Sequence, residues 1–99
     1  MIAISAEELA IVFAILREHL PNTIKVHVFG SRALGRVKPW SDLDLVFEAQ
    51  TPLPLSLIAK LVEGFEESAL PWKIDIVDRN TVGDGFGRLI DQSKVALQL

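Results

Sequence analysis

Three aspartates stand where aspartate is uncommon. Asp42 and Asp44 open the run Asp-Leu-Asp-Leu-Val-Phe-Glu, and Asp75 sits inside Lys-Ile-Asp-Ile-Val. Residues two apart on a strand project from one face, so the Asp42 and Asp44 carboxylates can converge above the same sheet surface. Two like charges ~4 Å apart repel by about 4 kcal/mol at an effective dielectric near 20, and such a pair persists on an apolar strand when a cation lies between them. Carboxylate oxygens suit hard cations such as magnesium, which keeps waters and completes its shell with substrate phosphates. Asp42 also reads as an ordinary strand-start aspartate. Asp44, between Leu43 and Leu45, resists that explanation because aspartate is depleted inside strands. Asp75 has two readings as well. One is a surface ion pair with Lys73 or Arg79. The other, if its strand neighbours that of Asp44, is a third acid at the same sheet edge, where ions ~3.5–4 Å apart can activate an attacking oxygen and steady a leaving one.

Ten residues separate Asp42 from the dipeptide Gly30-Ser31. A strand that turns sharply at a glycine into a helical turn presents free backbone N–H groups, which bind phosphate. Gly30 lets a ligand approach the backbone, and the Ser31 hydroxyl adds a donor. The same dipeptide also reads as a plain strand-to-helix turn capped by Ser31. Arg32, Arg36 and Lys38 can meet phosphate oxygens or remain solvated charges, with Arg32 the best placed of the three.

The elements that must position these groups alternate between helix and strand, which predicts an α/β or α+β layer fold. Ser5 and Glu8 form a capping box that opens a helix running to about Leu20, stopped by Pro21-Asn22. Its apolar stripe (Leu9, Val12, Phe13, Leu16, Leu20) is widened by Ile11 and Ile15. Residues 24–29 read as a strand with Ile24, Val26 and Val28 on one face. After the Gly-Ser turn, with room for one helical turn, residues 36–41 form a polar loop containing Pro39. A second strand spans residues 42–48, with Leu43, Leu45 and Phe47 facing away from Asp42, Asp44, Val46 and Glu48. A helix follows Pro54, with Ile58, Leu61, Val62, Phe65 and Ala69 on its core face, and Leu70-Pro71 closes it. A short strand covers residues 73–78. Asp84 caps a last helix with Phe86, Leu89, Ile90, Ser93 and Leu97 at helical spacing. The order αβ(α)βαβα predicts a small mixed sheet of three or four strands flanked by helices.

Composition bounds the function. The chain has 99 residues, enough for a single domain over residues 1–99. With 49% hydrophobic residues, it has either a dense core or an apolar surface reserved for another subunit, and so a possible homo- or hetero-oligomer. A formal net charge of −3 argues against a large polyanion as the main partner, so no direct nucleic-acid contact is expected. There is no cysteine, hence no disulfide or thiolate metal site. No apolar run reaches the length of a membrane span and the first residues carry no signal-peptide pattern, so a cytoplasmic protein away from the membrane is expected. His27, opposite Val26 and Val28, reads as a packed sheet residue, since no second histidine stands at ligand spacing. His19 reads as a cation at a helix C-terminus. Trp40 reads as lining the site or meeting a partner, and Trp72 as covering the core edge.

Gly-Ser, ten intervening residues, Asp-x-Asp, and a third acid in a later short strand resemble the DNA polymerase beta superfamily of nucleotidyltransferases. The stretches Gly30-Ser31-Arg32-Ala33-Leu34-Gly35 and Ser41-Asp42-Leu43-Asp44-Leu45, on so short a chain, resemble its minimal nucleotidyltransferase (MNT) antitoxin family. The resemblance implies that Gly30 and Ser31 hold a nucleoside triphosphate. It also implies that Asp42, Asp44 and Asp75 are catalytic and coordinate two Mg2+ ions, with ATP as donor. The implied activity is AMP transfer to a hydroxyl of a HEPN-domain RNase toxin, which the protein neutralises as its antitoxin. With no second domain to grip the acceptor, that acceptor is expected to dock from outside. Two other functions fit the residues: a non-catalytic antitoxin that neutralises its partner by contact, and a small-molecule (antibiotic) nucleotidyltransferase.

Overall fold

The computed structural model describes residues 2–35, 38 and 40–99; Met1, Arg36, Val37 and Pro39, and with them the readings placed on Arg36 and Pro39, lie outside the described residues. The elements run α1 (Ala6–His19), β1 (Lys25–Phe29), β2 (Leu43–Glu48), α2 (Leu55–Glu66), β3 (Ile74–Asp78), a 3₁₀ turn (Arg79–Thr81), α3 (Asp84–Ser93) and β4 (Val95–Ala96). The four strands form a mixed sheet in the order β3-β2-β1-β4. β1 pairs antiparallel with β2 and with β4. β2 and β3 are parallel, with α2 as their crossover.

The alternation along β1 and β2 divides the molecule. Val26, Val28, Leu43, Leu45 and Phe47 enter the main core beneath α1 and α2. α1 starts at the expected capping box: the Ser5 hydroxyl accepts the Glu8 N–H and the Ser5 N–H donates to the Glu8 carboxylate, both at 3.1 Å. Its wide stripe is largely absorbed by this core, where Val12 and Leu16 are fully buried and Leu9, Phe13, Ile15 and Leu20 pack around them. α1 approaches α2 at Gly64, where a side chain would press on Ile15.

Three expectations are corrected. α2 ends at Glu66 rather than near Leu70, because Ser68 turns back and its N–H and hydroxyl both donate to the Phe65 carbonyl. The residue capping α3 is Gly83, not Asp84, whose side chain makes no cap bond; Asp84 instead places its charge in the first turn, favourably for the helix dipole. Leu97 is not helical. The chain becomes extended at Lys94, Val95 and Ala96 pair with β1, and the Leu97 N–H donates to the Val26 carbonyl at 3.0 Å. Leu97 thus reaches the main core through a fourth strand.

The opposite sheet face carries a much smaller cluster: Phe29, Val46 and Ile90, with Val77 and Val82 against them. α3 lies over this face with Ile90 as its buried apolar anchor. No helix among the described residues is long and apolar enough to cross a membrane.

Candidate active site

The parallel register of β2 and β3 sets Asp44 directly beside Asp75. Burial, then hydrogen bonding and charge from the Asp75 carboxylate, then the charge of Asp42, push the Asp44 carboxyl up to about 6. Asp42 itself precedes β2 and adds charge at longer range. Among the described residues Asp75 makes no ion pair; Arg79, one partner expected for it, instead bonds Asp91. The structure therefore brings Asp44 and Asp75 together. No group of three or more acids and histidines is closed tightly enough to hold an ion among the described residues.

The Gly30 turn lies against this pair. Gly30 has φ +74°, a left-handed conformation that side chains disfavour, and a Cβ built there would fall on the Asp44 carboxylate oxygen. Glycine is needed twice: for the turn and for the space Asp44 occupies. The turn closes with Leu34 N–H to Gly30 carbonyl at 3.2 Å and Gly35 N–H to Arg32 carbonyl at 3.4 Å. It is a turn, not the helical turn allowed for in the sequence. Among the described residues the N–H groups of Ser31, Arg32 and Ala33 have no protein acceptor, the condition a phosphate-accepting turn requires.

Arg32 stands elsewhere. It is 4% exposed. Its Nε and Nη2 donate to the Ser41 carbonyl at 3.1 and 2.8 Å, and its Nη1 donates to the Ala3 carbonyl at 2.7 Å. The guanidinium also stacks 4.3 Å from the Trp72 ring centroid. The phosphate-binding role expected for Arg32 is not what its contacts describe. They make it a brace joining the segment before α1 to the end of the loop that leads into Asp42.

A cleft of about 550 Å³ opens at the carboxylates, with Gly30, Asp44 and Asp75 on one side and Phe86, Leu89 and Ser93 of α3 on the other. Sequence reasoning missed this wall. Phe86 and Leu89 fit the helical period of core residues, yet they are 48% and 63% exposed. Phe86 meets Phe29 edge-on, ring centroids 6.0 Å apart. The signal was the brevity of α3, whose ten residues include a single fully buried apolar side chain. Leu34 and Trp40, 57% and 71% exposed, are further apolar groups on the turn and loop. Trp72, expected to cover the core edge, is a buried member of the main core cluster.

The donor set fits magnesium. Asp44 and Asp75 offer hard oxygen ligands, and burial together with the neighbouring Asp75, which raise the Asp44 carboxyl, disfavour its charge in a way that a divalent cation relieves. Beside them, uncommitted backbone N–H groups can hold phosphate oxygens, so the arrangement suits chemistry at a phosphorus atom bound between turn and acids.

Comparison with known proteins agrees. A family model described as the nucleotidyltransferase domain matches residues 9–97. The Haemophilus influenzae protein named "Probable protein adenylyltransferase MntA" is 41% identical over 95 residues, covering 96% of this chain and 82% of its own. A toxin–antitoxin crystal structure with AMP-PNP aligns with TM-score 0.74 and 22% identity over 90% of this chain and 71% of that one. A complex of tri-AMPylated Shewanella oneidensis HEPN toxin with MNT antitoxin aligns with TM-score 0.65 and 21% identity, over 88% and 66% of the two chains. These structural likenesses carry the fold, which is that of the polymerase-beta-like nucleotidyltransferases. With a domain model and a relative that both span nearly the whole chain, the protein belongs to the nucleotidyltransferase domain family and, within it, to the minimal nucleotidyltransferases.

Proposed function

We propose that the protein transfers AMP from ATP, with magnesium, to a hydroxyl of a partner protein, a HEPN-type toxin that it neutralises as antitoxin. The observation that carries the reading is the meeting of Asp44 and Asp75 against the Gly30 turn. The MntA relative supports protein adenylylation, and the neighbouring toxin–antitoxin complexes support the kind of partner.

In this mechanism the N–H groups after Gly30 and the Ser31 hydroxyl bind the β- and γ-phosphates. Asp44 and Asp75, with Asp42 in support, would hold Mg2+, which would supply positive charge to offset that of the triphosphate. The acceptor oxygen forms a bond to the α-phosphorus as the bond to the bridging oxygen breaks, and pyrophosphate departs. Asp75, exposed at the sheet edge, takes the hydroxyl proton and passes it to water. Most of the rate gain comes from alignment and fixed charge. Phe86 and Leu89 on the cleft wall, with Leu34 on the turn and Trp40 on the loop before Asp42, offer exposed apolar contact area to a docking partner.

Incubation of the purified protein with α-labelled ATP, magnesium and its co-purifying partner tests this reading. Label enters the partner, and the double variant Asp42→Ala/Asp44→Ala lowers the rate by at least about 10²-fold. The exposed apolar rim also favours a second reading, neutralisation by contact alone. In that case no nucleotide labels the partner and the double variant neutralises as well as the wild type.

A further inference from the structure

α3 forms one wall of the cleft but has little apolar hold on the sheet. Ile90 is its fully buried apolar side chain, and the cluster it joins adds two further buried members, Phe29 and Val46. What surrounds it instead is charge. The Arg79 Nε and Nη2 donate to Asp91 at 3.4 and 3.1 Å. Lys94 Nζ donates to Asp91 at 2.9 Å and to Glu48 at 2.8 Å. This chain of four groups ties the 3₁₀ turn after β3, the last turn of α3, the residue ending it, and the far end of β2. Gly87 makes the approach possible, because a Cβ there would lie 2.6 to 2.7 Å from the Arg79 guanidinium.

We propose that Arg79 and Lys94, acting through Asp91 and Glu48, are positioning residues that hold α3 on the sheet and set the width of the cleft over Asp44 and Asp75. None of the four touches the carboxylate pair; they act on the wall that carries Phe86 and Leu89. The ties draw Asp91 down to about 2 and raise Lys94, as bonded ion pairs do. Exposed ion pairs are individually weak, but α3 has few other contacts to outweigh them. The cleft's part in catalysis rests on the proposed function; the anchoring of α3 does not.

The test is hydrogen exchange on the full chain, with ATP kinetics beside it. In Arg79→Gln, α3 amides exchange about two- to fivefold faster while those of α1 and β1–β3 stay as in the wild type. The KM for magnesium-ATP rises by a similar factor with kcat within about twofold, and Arg79→Lys restores both in part. Gly87→Ala decides by sign. Alanine is the better helix former, so if α3 were held by its own helicity its exchange would slow. If the guanidinium is the anchor, the methyl group displaces it and exchange quickens with no charge altered. Unchanged exchange in Arg79→Gln, or slowed exchange in Gly87→Ala, overturns the proposal, as does faster exchange with KM unmoved. A wild-type chain that moves no AMP strikes the proposed function instead, and α3 exchange alone then decides the anchor.

Discussion

Gly30 and Gly35 share a φ of +74° and differ in their surroundings: a Cβ at Gly30 falls on the Asp44 carboxylate, whereas one at Gly35 meets nothing within 4 Å among the described residues. The two alanine variants therefore separate backbone strain from the placement of Asp44. A side chain held in the left-handed region costs about 1–2 kcal/mol, offset by about 0.4–1 kcal/mol from the stiffer unfolded chain. Gly35→Ala should thus lose about 1 kcal/mol, a fall in Tm of roughly 4–8 °C for a domain of this size. Gly30→Ala bears the same strain and must also turn the Asp44 carboxylate aside, at about 0.5–1.5 kcal/mol for an off-rotamer side chain. Their stabilities should therefore lie within about 1–2 kcal/mol of each other. Function should not: misplacing a reacting group by ~1 Å costs on the order of 10²-fold. Gly30→Ala should lose about that much AMP transfer, together with the rise in Tm that magnesium brings in the absence of nucleotide. Gly35→Ala should keep both. The magnesium arm matters because a methyl group at Gly30 also obstructs phosphate. Equal losses in the two variants, or a Gly30→Ala protein that still responds to magnesium, would refute the claim that Gly30 makes room for Asp44.

Arg32→Lys removes a forked donor from two half-buried carbonyls; at about 1.5–3 kcal/mol per charged hydrogen bond, Tm should fall by roughly 10 °C or more. The KM for ATP should hold in the folded fraction, and a raised KM with unchanged Tm would return Arg32 to the nucleotide. Asp44→Asn removes a charge facing Asp75, so melting of the metal-free chain should move upward while its response to magnesium disappears. His27 is lowered below its ordinary 6.5, chiefly by burial, with Glu48 opposing and Lys94 reinforcing. Above 6.5 the imidazole is neutral folded or unfolded; below it the unfolded chain binds the proton more readily. Stability should therefore decline as pH falls below about 6.5, and urea titrations of His27→Gln should show a shallower decline.

The layout of the main core was legible because each element there has one apolar face. The capping box at Ser5, the alternation Leu43-Leu45-Phe47 and the turn residues around Pro21 all agree with the fold. Legibility failed where the chain is short or ambiguous. Val95–Ala96 is too brief to show an alternation, and Leu97 stands at helical spacing from Ile90 by coincidence. The left-over carbonyl of Phe65, which Ser68 takes, decides the end of α2, and no periodicity reports that. Within the site, the pairing of Asp44 with Asp75 followed from two acids on apolar strands once those strands were adjacent. The commitment of Arg32 to Ala3 and Ser41 did not, because a basic residue beside a phosphate turn reads the same whether it faces the ligand or braces the loop.

One face of β2 explains why the acids and the cleft wall belong together. Asp44, Val46 and Glu48 alternate onto it. Asp44 meets Asp75, Val46 is buried beneath Ile90, and Glu48 binds Lys94 at the end of α3. Along six residues of a single strand, one side chain meets Asp75 in the cleft, the next seats the helix above it, and the third ties that helix down. A shift of β2 by one residue would send all three into the main core together. The spacing of these residues therefore fixes where Asp44 points and, through Ile90 and Lys94, where Phe86 and Leu89 stand relative to it.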